Sequence, residues 1–345
     1  MTKRRWTTLG FLFLYLVTIL FVTPASANTK QKPIVLGYYS KDWYTDKDSY
    51  NSLAKNHANL DYIATFAARI NSNGGLVVDF PPSEGIELAK SKGVKPLLVV
   101  HNIHNGMDTA TAAAVLGNPQ KRWQLAQNIT SLVKKEGYAG VNIDLEAIPP
   151  KNRDDYSKFL WELKGLLQPG YLLTAAVPAK TSDQLNNSWS GGYDYREIGR
   201  ACDYVMLMTY DEHWFGGKPG PIASLPWVQK VLDFAVSQMP SQKVILGLAT
   251  YGYDWSAAST KSVKWNNVDS IIKNTGAQVR WDNKSSSPYF YYWTGTQKHE
   301  VWFENKYSLG IKLGFVNSYN LAGVGFWRMG FENDDFWQTI NQKLR

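Results

Sequence analysis

The chain has 345 residues, which is enough for one large domain or two small ones. Its one cysteine, Cys202, excludes an internal disulfide, and its five histidines lack the paired spacing of a metal-binding motif. We therefore expect no metal, and we expect no cofactor. No clustered Lys/Arg run follows the first few residues, so we also expect no nucleic-acid partner.

The N-terminal segment has the pattern of an export signal. Residues 3–5 are basic, residues 9–22 are almost continuously apolar, and Ala25-Ser26-Ala27 fits a small-residue cleavage site. We therefore predict a signal peptide of residues 1–27, whose removal lowers the formal charge from +8 by three, to +5. The apolar run is shorter than the ~20 residues of a membrane-spanning helix. An uncleaved anchor is the alternative, and after cleavage we expect no stable membrane association.

Eight apolar, strand-like runs alternate with helix-like stretches through the rest of the chain. The runs are residues 34–39, 62–66, 96–100, 141–145, 172–177, 204–208, 244–249 and 323–327, and the clearest helices are 119–135, 154–167, 225–238 and 333–344. This alternation predicts an α/β fold with a parallel sheet. Eight strands close a (β/α)8 TIM barrel, so we expect residues 28–345 to form one barrel domain.

The interval between the seventh and eighth runs is too long for one barrel helix. Within it, residues 279–281, 289–293 and 300–303 alternate like short antiparallel strands, and turn-forming residues separate them. We therefore predict a small α+β insertion at residues 253–304, between strand 7 and helix 7. Residues 305–318 then supply that helix.

The fourth run carries an unusual set of polar residues. Asn142, Asp144 and Glu146 alternate with apolar residues, so on a strand all three point to one face. Carboxyl groups on a buried face are costly unless that face opens onto a polar cavity. A carboxyl pair is also what glycosidic-bond cleavage requires. The alternative is a structural acidic cluster at a strand end.

The segment Gly140-Val141-Asn142-Ile143-Asp144-Leu145-Glu146 resembles the signature of glycoside hydrolase family 18, the chitinase-like enzymes, written D-G-x-D-x-D-x-E. Its glycine and its last two acids match, whereas Ala139 and Asn142 replace the first and middle Asp. This variant is similar to the branch that contains bacterial spore-cortex-lytic N-acetylglucosaminidases. Residues 205–211 resemble the family's M-x-Y-D strand, residues 325–327 its last strand, and residues 298–304 part of that branch's insertion.

The resemblance implies a role for each matching residue. Glu146 would be the general acid and then the base. Asp144 would hold the substrate's acetamido N–H and stabilise the oxazolinium cation. Tyr210 would support the acetamido carbonyl, Asp211 would bind the same sugar, and Trp327 would form the floor of the cleavage subsite.

Further residues are expected near the substrate. Asn142 cannot share a proton with Asp144 as an aspartate would, but its amide could donate a hydrogen bond to that carboxylate. Met208 shares a strand face with Tyr210. Tyr251 and Tyr39 are expected to line the cleft. Two other aromatic residues, Phe66 and Trp214, are weaker candidates for the same role.

These observations predict a glycoside hydrolase, an enzyme that cleaves β-1,4 bonds after N-acetylglucosamine in peptidoglycan, with the spore cortex as a candidate substrate. The resemblance implies substrate-assisted catalysis with retention of anomeric configuration. A chitinase or chitooligosaccharide hydrolase is one alternative, and a non-catalytic sugar-binding lectin on the same barrel is another. We expect a monomer, secreted or associated with the cell wall or spore, whose partner is a polysaccharide that contains N-acetylglucosamine.

Overall fold

The computed structural model describes residues 1–2, 32–167 and 169–345. The predicted signal peptide lies, except for its first two residues, outside the described residues. Residues Lys32–Arg345 form one compact unit. In the described part of the chain, no helix combines the length and apolar character needed to cross a membrane.

Fourteen strands are present in the described residues. In chain order they are β1 (Ile34–Ser40), β2 (Tyr62–Ile70), β3 (Leu76–Val78), β4 (Lys95–His101), β5 (Gly140–Asp144), β6 (Leu172–Pro178), β7 (Tyr204–Met208), β8 (Val244–Ala249), β9 (Tyr251–Ser256), β10 (Thr260–Lys264), β11 (Arg280–Asp282), β12 (Ser287–Thr294), β13 (Gln297–Trp302) and β14 (Gly323–Trp327). All eight runs predicted from the sequence are strands of the barrel.

The barrel is closed because β1 pairs in parallel with both β2 and β14. The remaining order is β14-β8-β7-β6-β5-β4-β2, and β3 adds an antiparallel hairpin to β2. The predicted α/β fold, a (β/α)8 TIM barrel, is therefore confirmed. Its active sites characteristically lie at the carboxyl ends of the strands.

Ten α-helices accompany these strands in the described residues. They are α1 (Asp48–Asn56), α2 (Ser83–Ser91), α3 (Thr109–Leu116), α4 (Pro119–Glu136), α5 (Arg153–Leu166), α6 (Tyr195–Ala201), α7 (Leu225–Gln238), α8 (Trp265–Thr275), α9 (Lys306–Ser318) and α10 (Asp334–Leu344). Helix α4 shows why these boundaries fall where they do. The Asn118 side chain accepts hydrogen bonds from two backbone N–H groups of its first turn, Pro119 starts it, and Gly137 ends it in the left-handed conformation.

The core has two layers because each barrel strand is buried on both faces. One face packs outward against the helices, as Val141, Ile143 and Leu145 do. The other fills the barrel interior, where the apolar cluster includes Leu97 and Val99. Because side chains alternate along β5, its polar residues point inward.

The predicted insertion is present between β8 and α9. Strands β9 to β13 form a second, antiparallel sheet in the order β10-β9-β13-β12-β11, and α8 packs on one side of it. This sheet begins at Tyr251, two residues before the predicted boundary. Strand β9 is separated from β8 by Thr250 alone, so the two strands read as one run in the sequence.

Candidate active site

The carboxyl end of β5 lies in a cleft of about 940 Å³. Asp144 ends the strand and Glu146 follows it, and both line this cavity. Most of the other lining residues are apolar, and the aromatic ones are Tyr38, Phe66, Trp189, Tyr210, Trp214, Phe215, Trp227, Tyr251, Tyr253, Trp327 and Phe331. The acids therefore face a cavity rich in ring surfaces, which suits a pyranose with apolar faces.

Asn142 lies one layer beneath the acids and is fully buried. Its Oδ1 accepts a hydrogen bond from the Tyr38 hydroxyl at 3.0 Å, and its Nδ2 donates to Thr174 Oγ1 at 2.8 Å. The predicted hydrogen bond from this amide to Asp144 is therefore wrong, because the amide is directed at Thr174. Asn142 is not among the residues that line the cleft, and its contact with substrate stays a prediction.

Asp144 has the opposite environment, although it lies only two residues further along the same strand face. The side chain is 4% exposed, and its Oδ1 has no hydrogen-bond partner among the described residues. Burial raises the pKa of this carboxyl above its usual range because desolvation disfavours the charged form. An ionised Asp144 would therefore gain strongly from a hydrogen-bond donor or a positive charge brought by a ligand.

Glu146 is half-buried at the cleft. Its pKa is raised first by burial, then by the negative charge of Asp144 and then by that of Asp211. These causes favour the protonated form, which a general acid needs. The two acids are therefore suited to a state in which the pair holds one proton, with Glu146 protonated and Asp144 ionised.

The backbone around Glu146 is fixed from one side by Asn102, a fully buried residue that follows β4. Asn102 Oδ1 accepts from the Glu146 N–H at 2.7 Å, and its Nδ2 donates to the Glu146 carbonyl at 3.0 Å. One amide thus satisfies both backbone groups of the proposed acid. Sequence reasoning missed Asn102, and its only signal was a polar residue at the carboxyl end of a barrel strand.

Tyr193 fixes the same segment from the other side. Its hydroxyl donates to the Leu145 carbonyl at 2.6 Å and accepts from the Ile148 N–H at 3.4 Å. Between these positions, Ala147 has φ of 51°, in the left-handed region that non-glycine residues seldom occupy. The turn that carries Glu146 is therefore held by two buried side chains, one directly after β4 and one in the segment that leads into α6.

The residues predicted at the end of the sixth barrel run lie at the cleft, with Met208 ending β7 and Tyr210 and Asp211 following it. Met208, Tyr210 and Asp211 all line it, and so does Tyr251 from the second sheet. Asp211 Oδ1 accepts hydrogen bonds from the hydroxyls of Tyr251 at 2.7 Å and Tyr253 at 2.9 Å. These bonds tie the end of β7 to the insertion, and Tyr253 was missed by sequence reasoning.

Trp327 lies against Phe66 and Tyr38, with ring centroids 5.2 and 5.7 Å away. Trp327, Phe66 and the exposed Trp214 line the cleft. The prediction for Tyr39 is wrong. Its side chain packs outward against α2, and Tyr38 occupies the inward position.

Among the described residues, no group of three or more His, Cys, Asp or Glu side chains is arranged to hold a metal ion. Cys202 is buried in the outer core layer, where burial raises the pKa of its thiol to about 12. The cleft lining includes carboxyl groups, phenols and ring faces.

Comparison with known proteins identifies the family. The model for glycosyl hydrolases family 18 matches residues 34–332, which is most of the chain. The chain belongs to this family. The predicted family and the predicted class of enzyme, a glycoside hydrolase, are confirmed.

Several relatives are similar over most of their length. The uncharacterized glycosylase YvbX of Bacillus subtilis is 34% identical over 94% of this chain and 96% of its own. The cortical fragment-lytic enzyme of Bacillus anthracis is 29% identical over 81% of this chain and 67% of its own.

Two solved structures are also similar to this chain. The spore cortex-lytic enzyme SleL of Bacillus cereus has a TM-score of 0.87 and 26% identity, over 92% of this chain and 75% of that chain. A chitinase from Chromobacterium violaceum has a TM-score of 0.85 and 30% identity, over 90% of this chain and 99% of that chain.

Proposed function

We propose that this glycoside hydrolase cleaves the β-1,4 bond after N-acetylglucosamine in peptidoglycan by substrate-assisted, retaining catalysis, with the spore cortex as its preferred source. One observation carries the mechanism. Two carboxyl groups share the end of β5, and the buried Asp144 Oδ1 has no hydrogen-bond partner in the described protein. In the proposed complex, the acetamido N–H of the substrate supplies that partner.

The first chemical step breaks the glycosidic bond. Glu146 donates its proton to the leaving oxygen while the acetamido carbonyl oxygen of the same sugar attacks the anomeric carbon. The new carbon–oxygen bond closes an oxazolinium ring, and ionised Asp144 accepts the acetamido N–H and stabilises the positive charge. The Tyr210 hydroxyl supports the acetamido carbonyl. No covalent bond to the protein forms.

The second step opens the ring. Glu146, now ionised, takes a proton from water, and the water oxygen bonds to the anomeric carbon as the bond to the acetamido oxygen breaks. Two displacements at one carbon return its original configuration. The working state needs Glu146 protonated and Asp144 ionised. The pair then holds one proton, and the repulsion between two negative charges favours this state over double ionisation.

Two observations support a wall polymer as substrate. The relatives from Bacillus anthracis and Bacillus cereus are named for lysis of the spore cortex. The segment 1–27 has the sequence pattern of a signal peptide, and the remaining chain would carry a formal charge of +5, which suits an anionic polymer outside the membrane. We propose a monomer of residues 28–345, with the insertion as one wall of its cleft.

The mechanism is tested with Glu146→Gln, which keeps the side-chain shape but removes the proton. General acid–base catalysis contributes ~10²–10⁴-fold, so hydrolysis should fall by at least a hundredfold while sugar binding persists. NMR of fresh product should show retained configuration, and a thiazoline analogue of N-acetylglucosamine should inhibit. Near-normal turnover by the variant, or inverted product, would contradict the mechanism.

The substrate is tested by incubating protein that lacks residues 1–27 with cortex fragments, vegetative wall and chitin oligomers, and analysing products by mass spectrometry. We expect products ending in N-acetylglucosamine from wall material, and most rapidly from cortex. The similarity to the Chromobacterium violaceum chitinase favours chitooligosaccharide hydrolysis as the second candidate. Release from chitin alone would establish that alternative, and binding without release would indicate a lectin.

A further inference from the structure

One face of the inserted sheet carries a continuous row of aromatic side chains. The strand register places Ser262, Tyr253, Trp302, Tyr289 and Arg280 opposite one another across β10, β9, β13, β12 and β11. Residues directly opposite in an antiparallel pair point to the same face. We call these five residues the aromatic row. At ~4.8 Å between neighbouring strands, the row runs for roughly 19 Å.

The row begins in the catalytic cleft. Ser262 and Tyr253 line the cavity that holds the acids, and the Tyr253 hydroxyl donates to Asp211. From there the row leads away from the cleft across the sheet. Trp302 and Tyr289 stack on each other with centroids 4.6 Å apart and ring planes 16° apart, which fixes their orientation.

A second set of residues on the same face extends the row along the strands. Glu300 lies opposite Tyr291, and Lys298 lies opposite Trp293. Lys298 Nζ is 3.8 Å from the centre of the Tyr291 ring, and the Arg280 guanidinium carbon is 5.5 Å from it. Trp293 is 61% exposed. Lys298 Nζ also lies 3.8 Å from Glu300 Oε2. The far end of the row therefore carries two cations and one carboxylate beside the half-buried Tyr291 ring and the exposed Trp293 ring.

The other face of the sheet is already occupied. There Phe290 and Val301 pack with Val268 of α8 in a separate apolar cluster. The insertion therefore has its own core on that side. On the face of the row, Tyr253 belongs to a buried apolar cluster at the cleft and Trp302 packs against it. Tyr289, Tyr291 and Trp293 belong to none of the apolar clusters of the described residues. Aromatic side chains without a core to fill are candidates for ligand contact.

We propose that the aromatic row, with Tyr291, Trp293 and Lys298, binds the peptidoglycan strand beyond the bond being cleaved. Ring surfaces contact the apolar faces of its sugars, while Arg280 and Lys298 pair with carboxylates of the peptide stems. The proposal rests on the proposed function, because a chitin strand has no such carboxylates. The expected ligand is therefore an anionic glycan strand that extends from the cleft onto this surface.

The surface predicts a dependence on substrate length and charge. Trp293→Ala removes an exposed ring, and the double variant Arg280→Glu with Lys298→Glu reverses the two cations. Trp161→Ala and Lys230→Glu are matched controls, since Trp161 is 44% exposed on α5 and Lys230 is exposed on α7, both on the outside of the barrel. Melting curves of all variants check that each one folds.

Hydrolysis is measured on long stem-bearing glycan strands, on the same strands stripped of their stems, and on short saccharide fragments. For long stem-bearing strands, kcat/KM of each surface variant should fall roughly threefold to tenfold, the size expected for one or two exposed contacts. Stripping the stems leaves one lactyl carboxylate on each muramic acid, so it should weaken the effect of charge reversal and keep that of Trp293→Ala. Short fragments and both controls should show less than twofold change.

The experiment distinguishes a failure of the proposed surface from a failure of the proposed function. If the parent protein cleaves the long strands and the surface variants match it on every substrate, the proposed surface is overturned while the function stands. If the parent protein cleaves chitin oligomers but none of the wall substrates, the proposed function fails. An effect of charge reversal on the stripped strands equal to that on the stem-bearing strands would contradict the assigned role of the cations.

Discussion

Asn142 and Asp144 lie two residues apart on the same face of β5, yet the fold treats them in opposite ways. Both polar ends of the Asn142 amide are hydrogen-bonded, to Tyr38 and Thr174. The Asp144 Oδ1 is buried with no partner in the described protein. A buried polar atom without a partner costs free energy, whereas a satisfied one does not. The difference separates a residue that supports the barrel from one that is kept available for a ligand.

The largest effect should come from removing the charge at the unpartnered position. Asp144→Asn keeps the shape but loses the carboxylate that faces the developing cation, so kcat should fall ~10²–10³-fold. Steady-state kinetics on wall fragments measures this loss. A loss below tenfold would show that Asp144 does not stabilise the reacting sugar.

The same variant should be more stable at neutral pH. Because burial raises the folded-state pKa of Asp144, the folded state binds more protons than the unfolded state between the two pKa values, and stability falls as pH rises through that window. Asp144→Asn removes this loss and should raise Tm above pH 6, with little change near pH 3. Scanning calorimetry at both pH values measures it.

The next largest effect should come from removing the Asn102 side chain that holds the backbone of Glu146. Asn102→Ala removes both hydrogen bonds to its backbone and should reduce kcat by roughly 10–100-fold, because a misplaced acid loses alignment with the leaving oxygen. KM should change less than threefold. Circular dichroism measures the folded fraction of the variant at the assay temperature. If that fraction falls by the same factor as kcat, Asn102 has a purely structural role.

A smaller effect is expected from making the satisfied position resemble its neighbour. Asn142→Asp introduces a second buried carboxyl group near Asp144, and its negative charge should raise the pKa of Asp144 further. Since Asp144 must be ionised to act, the acid limb of the pH–rate profile should move to higher pH. The loss near neutrality should be about fivefold. Identical profiles for the two proteins would show that the positions do not interact.

The smallest effects concern two adjacent tyrosines. Tyr38→Phe removes the hydroxyl that donates to Asn142, and such a bond contributes ~0.5–1.5 kcal/mol to stability. Tyr39→Phe removes a buried hydroxyl that has no partner in the described protein, so stability should stay the same or rise. Urea unfolding of the two variants compares them directly. A larger loss for Tyr39→Phe would reverse the assignment of the two faces of β1.

The sequence alone determined the barrel and its acid strand, because both depend on local patterns. Apolar runs separated by helices predict parallel strands, and period-two alternation puts Asp144 and Asn142 on one face. The resemblance to the family motifs added the expected roles of the acids on this strand, of Tyr210 and of Trp327. The seventh helix and the insertion followed from an interval too long for one crossover.

Tertiary structure decided what no local pattern encodes. Strand β1 is buried on both faces, so alternation gives no sign of which tyrosine points inward, and the choice of Tyr39 over Tyr38 was wrong for that reason. Asn102 and Tyr193 reach the turn of Glu146 from 44 and 48 residues away along the chain. The amide of Asn142 donates to Thr174 and not to Asp144, because β6 pairs with β5 and places Thr174 opposite Asn142. Such contacts exist only once the barrel closes and brings the carboxyl ends of its strands together.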